Sequence, residues 1–149
     1  TLSTKEILNE SIKVHSSIMK GKEIEFFDSS TEDYSIKADK RRVLEVLTNL
    51  IQNAHDFVPV KGIIEIGVND EKDKVTFFVK DNGIGIPKEK QDQIFKKYGE
   101  IKTGMTRTYG GTGLGLVVSK ELVEGMSGKI WLESEKGKGT VFLFTIPKA

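Results

Sequence analysis

Apolar residues recur at helical spacing in some stretches of the chain and alternate with polar ones in others. Ile7, Leu8, Ile12, His15, Ile18 and Met19 follow Ser3-Thr4-Lys5-Glu6, so a helix opening on a capping box is predicted over 4–20. Beyond Gly21, residues 23–28 and 34–38 read as two short strands around a polar turn. Asp39 then caps a second helix, with Val43, Leu47, Leu50, Ile51, Ala54 and Val58 on its apolar face and Pro59 as its limit. Runs at 63–68 and 75–80, separated by the acidic turn 69–73, predict a hairpin at the centre of a sheet. Between 88 and 109 the periodicity fades, charge is dense, and Gly99 and Gly104 interrupt the chain, as in a loop or lid. A third helix is marked by Leu114, Val118, Leu122 and Met126, and a last hairpin by 129–135 and 140–146 around 136–138. Strands that return in adjacent pairs predict an α+β fold rather than a βαβ winding.

Length and composition narrow the picture. With 149 residues, 37% of them hydrophobic, the chain is near the about 150 residues of one domain and able to bury its own core. A single domain over 1–149 is expected. The net charge of +1 supplies no broad basic field, so a nucleic-acid partner is not expected. Cysteine is absent, which excludes a disulfide framework, a thiolate zinc site and a cysteine nucleophile. No apolar run approaches the ~20 residues of a spanning helix, so this chain is expected to be soluble, without direct membrane contact. It begins at Thr1 rather than Met and is expected to be part of a longer protein.

Three groups of residues can carry chemistry. Asp81-Asn82-Gly83-Ile84-Gly85-Ile86-Pro87 follows a predicted buried strand; an acid at a strand end can accept a hydrogen bond from a flat ligand that glycines allow to come close. By itself the pattern also describes a tight turn with a solvated Asp. Gly110-Gly111-Thr112-Gly113-Leu114-Gly115-Leu116 crowds glycine at a helix start, where free amides suit phosphate, although it is neither a Walker A loop nor a dinucleotide fingerprint and a hinge would look the same. On the second helix, Glu45, Asn49, Asn53 and Asp56 share one stripe. An amide oxygen there could ligate Mg²⁺, though such stripes usually face solvent.

The order of these groups resembles the ATP-binding catalytic domain of sensor histidine kinases, in the GHKL superfamily. Residues 49–54 are similar to its N box, 81–87 to its G1 box, Phe95-Lys96-Lys97-Tyr98 to its F box, and 111–116 to its G2 box. The resemblance runs to Gly137-Lys138-Gly139-Thr140 in the last hairpin. It implies a two-layer α/β sandwich of the Bergerat type, with a mixed, mainly antiparallel sheet of about five strands on three main helices. It further implies ATP and Mg²⁺ as cofactors. Asn53 would hold the metal, Asp81 would accept the adenine amino group, and Gly83, Ile84, Gly85 and Ile86 would shape the base pocket with Phe57 nearby. Gly111, Thr112, Gly113, Leu114, Gly115 and Leu116 would lie along the phosphates. Residues 99–110 would form an ATP lid anchored by Phe95 and Tyr98, with Lys102 and Arg107 as the cations for the γ-phosphate. Asp56 stands where many members carry Lys or Arg; a subset similar to nitrogen-regulation and dicarboxylate-sensing kinases has Asp there, so the basic contact from this helix is not expected.

Neither histidine matches the family's acceptor motif. His15 lies on an apolar stripe without an acidic neighbour and proline, and His55 belongs to the N-box helix. The resemblance therefore implies transfer of the γ-phosphate to a histidine on a separate dimerisation domain, with a response regulator receiver domain as a further partner. The parent would be a homodimer, cytoplasmic and able to be membrane-attached. Hydrolytic relatives carry a water-activating Glu where this chain has Asn49, one turn before Asn53, which places Asn49 with Asn53, Lys102 and Arg107 in the catalytic set. The alternatives are such a hydrolytic ATPase, or a nucleotide-binding regulatory module without turnover.

Overall fold

The computed structural model describes residues 1–95 and 115–149. In chain order the elements are β1 (Leu2–Ser3), α1 (Thr4–Gly21), β2 (Glu25–Asp28), β3 (Ser35–Ile36), α2 (Lys40–Phe57), β4 (Ile63–Glu71), β5 (Lys74–Asp81), α3 (Lys88–Gln91), α4 (Gly115–Gly125), β6 (Ile130–Glu135) and β7 (Gly139–Pro147). Five strands form a sheet in the order β2-β4-β5-β7-β6, parallel between β2 and β4 and antiparallel elsewhere. This is the expected mixed, mainly antiparallel sheet, with α1, α2 and α4 packed against it.

Local signals set the helix starts. Ser3 caps α1 by accepting the Glu6 N–H at 3.2 Å, and Asp39 caps α2 by accepting from Arg41 and Arg42. A second cap on α1 comes from far away: Asp33 accepts the Lys5 N–H and the Ser3 hydroxyl. These bonds hold its carboxyl below the usual range. The apolar stripe of α2, with Val43, Val46, Leu47, Leu50, Ile51 and Ala54 fully buried, lies over Ile64, Ile66, Val75, Phe77 and Val79 of the sheet. Phe77 and Phe144 stack across β5 and β7 at 5.0 Å.

The pairing of the early strands differs from the sequence pattern. β2 and β3 do not pair with each other. β2 runs parallel to β4, with Phe26 opposite Ile64, and α2 provides the crossover that a parallel pair requires. β3 pairs with β1 in a separate two-stranded sheet, where Ile36 is fully buried. The reason is packing: a two-residue strand gains more by covering the end of α1 than by extending an edge. The predicted central hairpin is present and tighter than its pattern suggested, since Glu71 pairs with Lys74, leaving a two-residue turn.

Candidate functional site

Of the residues singled out from the sequence, Phe57 and the loop from Asp81 meet where α2 and β5 end. Asp81 closes β5 and faces the core side of the sheet, directly opposite Thr140 of β7 and Ile64 of β4. Gly83 lies against the end of α2, so that a Cβ there would come within 2.5 Å of the Phe57 carbonyl oxygen. Gly85 has a φ of +73°, and a Cβ on it would meet the Glu135 carbonyl oxygen at 2.1 Å. The glycines of this loop are thus required by backbone packing against α2 and β6, a tighter demand than the approach of a ligand. Asn82 ties the loop to β4 twice: its Oδ1 accepts the Ile63 N–H at 2.8 Å, and its own N–H donates to the Ile63 carbonyl at 3.3 Å.

Two further side chains fix the loop, and neither was singled out from the sequence. Ser134 Oγ of β6 accepts the Ile86 N–H at 2.7 Å, and Gln91 of α3 donates to the carbonyls of Ile86 and Ser134 at 2.9 and 3.1 Å. The available signal was the alternation of β6: Ile130, Leu132 and Ser134 occupy one face, and a serine in a row otherwise apolar invites a buried partner. The same loop divides its isoleucines. Ile86 is fully buried in the core, whereas Ile84 is 46% exposed beside the site.

The electrostatics single out Asp81. It is only 4% exposed, and burial pushes its pKa up to about 6 even though the N–H groups of Gly83 and Thr140 favour the charged form. Gly83 donates to Oδ1 at 2.8 Å, while Oδ2 is buried with no partner among the described residues. Asn53 shows the same feature, its Nδ2 being buried and without a partner there. A buried polar atom left unpaired costs about 1–3 kcal/mol, so these two, an acceptor on β5 and a donor on α2, are candidate contacts for a ligand.

The other expected residues sort differently. Asn49, one turn before Asn53 on α2, is satisfied: its Nδ2 donates to the Gly115 carbonyl and to Ser119 Oγ, both at 3.1 Å, and so joins α2 to the start of α4. Phe57 is buried at the end of α2, and Leu116 is part of the core. Asp56 is exposed, its carboxylate 3.5 Å from the His55 ring. His15 is buried and hydrogen-bonded to Thr48 Oγ1 at 3.3 Å, with its pKa lowered by burial. Tyr98, Lys102, Arg107, Gly111, Thr112, Gly113 and Leu114, like the expected lid as a whole, lie outside the described residues. Among the described residues no three His, Cys, Asp or Glu side chains come together to hold a metal. No described helix is long and apolar enough to cross a membrane.

Residues 38–149 match the family model of histidine kinase-, DNA gyrase B- and HSP90-like ATPases. The chain is 40% identical over 117 residues to the sensor histidine kinase WalK of Bacillus subtilis, covering 77% of this chain and 19% of that protein. It is 43% identical over 112 residues to the circadian input-output histidine kinase CikA of Synechococcus elongatus, covering 75% of this chain and 15% of that protein. The chain therefore spans less than a fifth of the length of these relatives. Among solved structures, the catalytic domain of the histidine kinase ThkA superposes with a TM-score of 0.84 at 31% identity, covering 99% of this chain and 95% of that one. Full-length ShkA in complex with AMPPNP superposes with a TM-score of 0.84 at 27% identity, covering 97% of this chain and 30% of that one. The family match over most of the chain, the sheet topology and the buried acid at the end of β5 lead to one conclusion: this chain belongs to the histidine kinase-, DNA gyrase B- and HSP90-like ATPases, and what it matches within them is the catalytic domain of sensor histidine kinases.

Proposed function

We propose that this chain binds ATP with Mg²⁺ at the junction of α2, β5 and the 81–87 loop and presents the γ-phosphate to a histidine on a separate dimerisation domain of a homodimeric parent. The observation that carries this reading is the buried Asp81 Oδ2, which has no partner among the described residues. An orphaned acceptor at the bottom of a glycine-lined loop fits a ligand edge bearing N–H, and adenine offers one in its exocyclic amine. The donor set also fits the metal. The Asn53 amide would supply one oxygen, and with no acidic cluster nearby among the described residues, substrate phosphates and water would supply the rest. When bound, Mg²⁺ neutralises charge on the phosphates.

Phosphoryl transfer asks mainly for positioning and charge stabilisation. Asp81 orients the base, the loop pinned by Gln91 and Ser134 holds Asp81, and the nucleophile is an imidazole brought by the other domain. Its ring nitrogen bonds to the γ-phosphorus as the bond to the β–γ bridging oxygen breaks, and ADP leaves. The hydrolytic alternative needs a base to take a proton from water. Asn49 is an amide already committed to α4, which supports the kinase reading. Residues 1–149 would act as one domain, in a cytoplasmic setting. ThkA is described in complex with a response regulator, TrrA, and a receiver domain of that kind is the proposed downstream partner here.

The test uses γ-labelled ATP and Mg²⁺. The chain alone should remain unlabelled, since His15 is buried, while the histidine-bearing helical domain of the same parent, added separately, should gain acid-labile phosphate. Brisk phosphate release by the chain alone, with no transfer to that domain, would establish the hydrolytic reading instead.

A further inference from the structure

Ser134, Thr140 and Asp81 form one cross-strand row: Ser134 pairs with Thr140 across β6 and β7, and Thr140 pairs with Asp81 across β7 and β5. Residues directly opposite in a sheet carry their side chains on the same face. Within this row the hydrogens can be counted. A serine hydroxyl has one proton and two lone pairs. Ser134 Oγ has three neighbours at bonding distance: the Ile86 N–H at 2.7 Å, the Gly139 carbonyl oxygen at 2.9 Å and Thr140 Oγ1 at 2.8 Å. The amide can only donate, so it takes one lone pair. The carbonyl can only accept, so it takes the proton. The second lone pair is what remains for Thr140, and the Thr140 hydroxyl must be the donor.

The consequence reaches the site. Thr140 is 2% exposed, and its one hydroxyl proton is committed to Ser134, so beside Asp81 its oxygen has only lone pairs to offer. The Asp81 side contributes a second acceptor, the unpaired Oδ2. We propose that Ser134 is a positioning residue for base selection: by holding the Thr140 hydroxyl as an acceptor, it makes this end of the site acceptor-only, suited to a 6-aminopurine and adverse to a 6-oxopurine. This rests on the reading that Asp81 receives the base of a nucleotide. The adverse part has a physical cause, since a carbonyl oxygen facing two acceptors finds no donor and stays unpaired. Without Ser134, Thr140 is free to turn its proton toward the ligand and the penalty on the oxo edge is relieved.

The discriminating experiment compares ATP with ITP, which differ at the 6-position and its neighbouring ring nitrogen, by calorimetric titration with Mg²⁺ for the unmutated chain, Ser134→Ala and Ser134→Thr. The unmutated chain should prefer ATP. Ser134→Ala should narrow the ATP-to-ITP ratio about five- to tenfold, and Ser134→Thr, which keeps the hydroxyl, should restore it. Should Ser134→Ala weaken both nucleotides by one factor, Ser134 only braces the loop and the proposal fails while the ATP reading stands. Equal affinities of the unmutated chain for ATP and ITP would overturn both. A measurement that needs no variant is the direction of the hydroxyl protons by NMR in the unmutated chain. The Ser134 proton should lie toward the Gly139 carbonyl, and finding it directed at Thr140 Oγ1 overturns the proposal.

Discussion

Asn49 and Asn53 stand one turn apart on the same helix, and the regions around them have opposite character. Around Asn49, at the seam of α2 with α4, polar groups are matched: the amide serves both the Gly115 carbonyl and Ser119 Oγ, and Ser119 is fully buried. Around Asn53, where α2 meets the end of β5, a donor and an acceptor are buried with no partner among the described residues. The same residue type on the same stripe is in one place a structural joint and in the other a retained deficit. Stability alone would not keep the deficit. The difference teaches that the site is best recognised by what the fold leaves unsatisfied, and it separates two asparagines that sequence spacing treats alike.

The sharpest way to test the contrast is to remove each asparagine in turn. Asn53→Ala should lower phosphoryl transfer to the histidine domain by about 10²–10³-fold, the scale of losing one preorganised electrostatic contact. Its Nδ2 has no partner among the described residues, so urea titration should show a stability change of no more than about 1 kcal/mol. A large loss of stability with transfer intact would erase the contrast.

Asp81 offers the next largest effect, in which stability and binding should move in opposite directions. Its folded pKa of about 6 lies above the ordinary 3.8, so the folded state holds the proton more tightly than the unfolded chain. The stability contributed by protonation is fully present below pH 3.8 and is lost as pH rises through 6. That loss amounts to about 3 kcal/mol. Asp81→Asn lacks this titration, so its stability relative to the unmutated chain should climb between about pH 4 and 6 and level off above. Other titrating groups, including His15, are common to both proteins and cancel in the difference. ATP affinity of the variant should fall about 5- to 150-fold at pH 7, because the amide can turn a donor toward the adenine amine. Parallel pH profiles for the two proteins would show that Asp81 is not held in the unfavourable charged state.

The smallest effect concerns the satisfied side of the comparison. Asn49→Ala strands Ser119 Oγ in the interior and should lower stability by about 1–3 kcal/mol, read by urea titration. ATP hydrolysis should remain slow in that variant, since alanine supplies no base. A rise in hydrolysis on losing Asn49 would show that its amide restrains water attack as well as joining two helices.

Much of this was legible in the sequence because it rests on local physics. The helical period of α1 and α2, the caps at Ser3 and Asp39, the β4–β5 and β6–β7 hairpins and the glycine-bounded acid at 81 are each written in adjacent residues. What tertiary structure decided is everything that depends on a distant partner. The pairing of β2 with β4 rather than β3, the Asp33 cap on α1, the division of Ile84 from Ile86 and the roles of Gln91 and Ser134 involve residues tens of positions apart. A single side chain in a one-dimensional string carries no record of such partners. The same holds for the two asparagines: spacing set which face of α2 they share, but only the docking of α4 on one and the burial of the other with no partner for its Nδ2 among the described residues could make them different. Hydrogen-bond satisfaction is a property of the assembled interior, because a donor is orphaned only once the fold has removed its water.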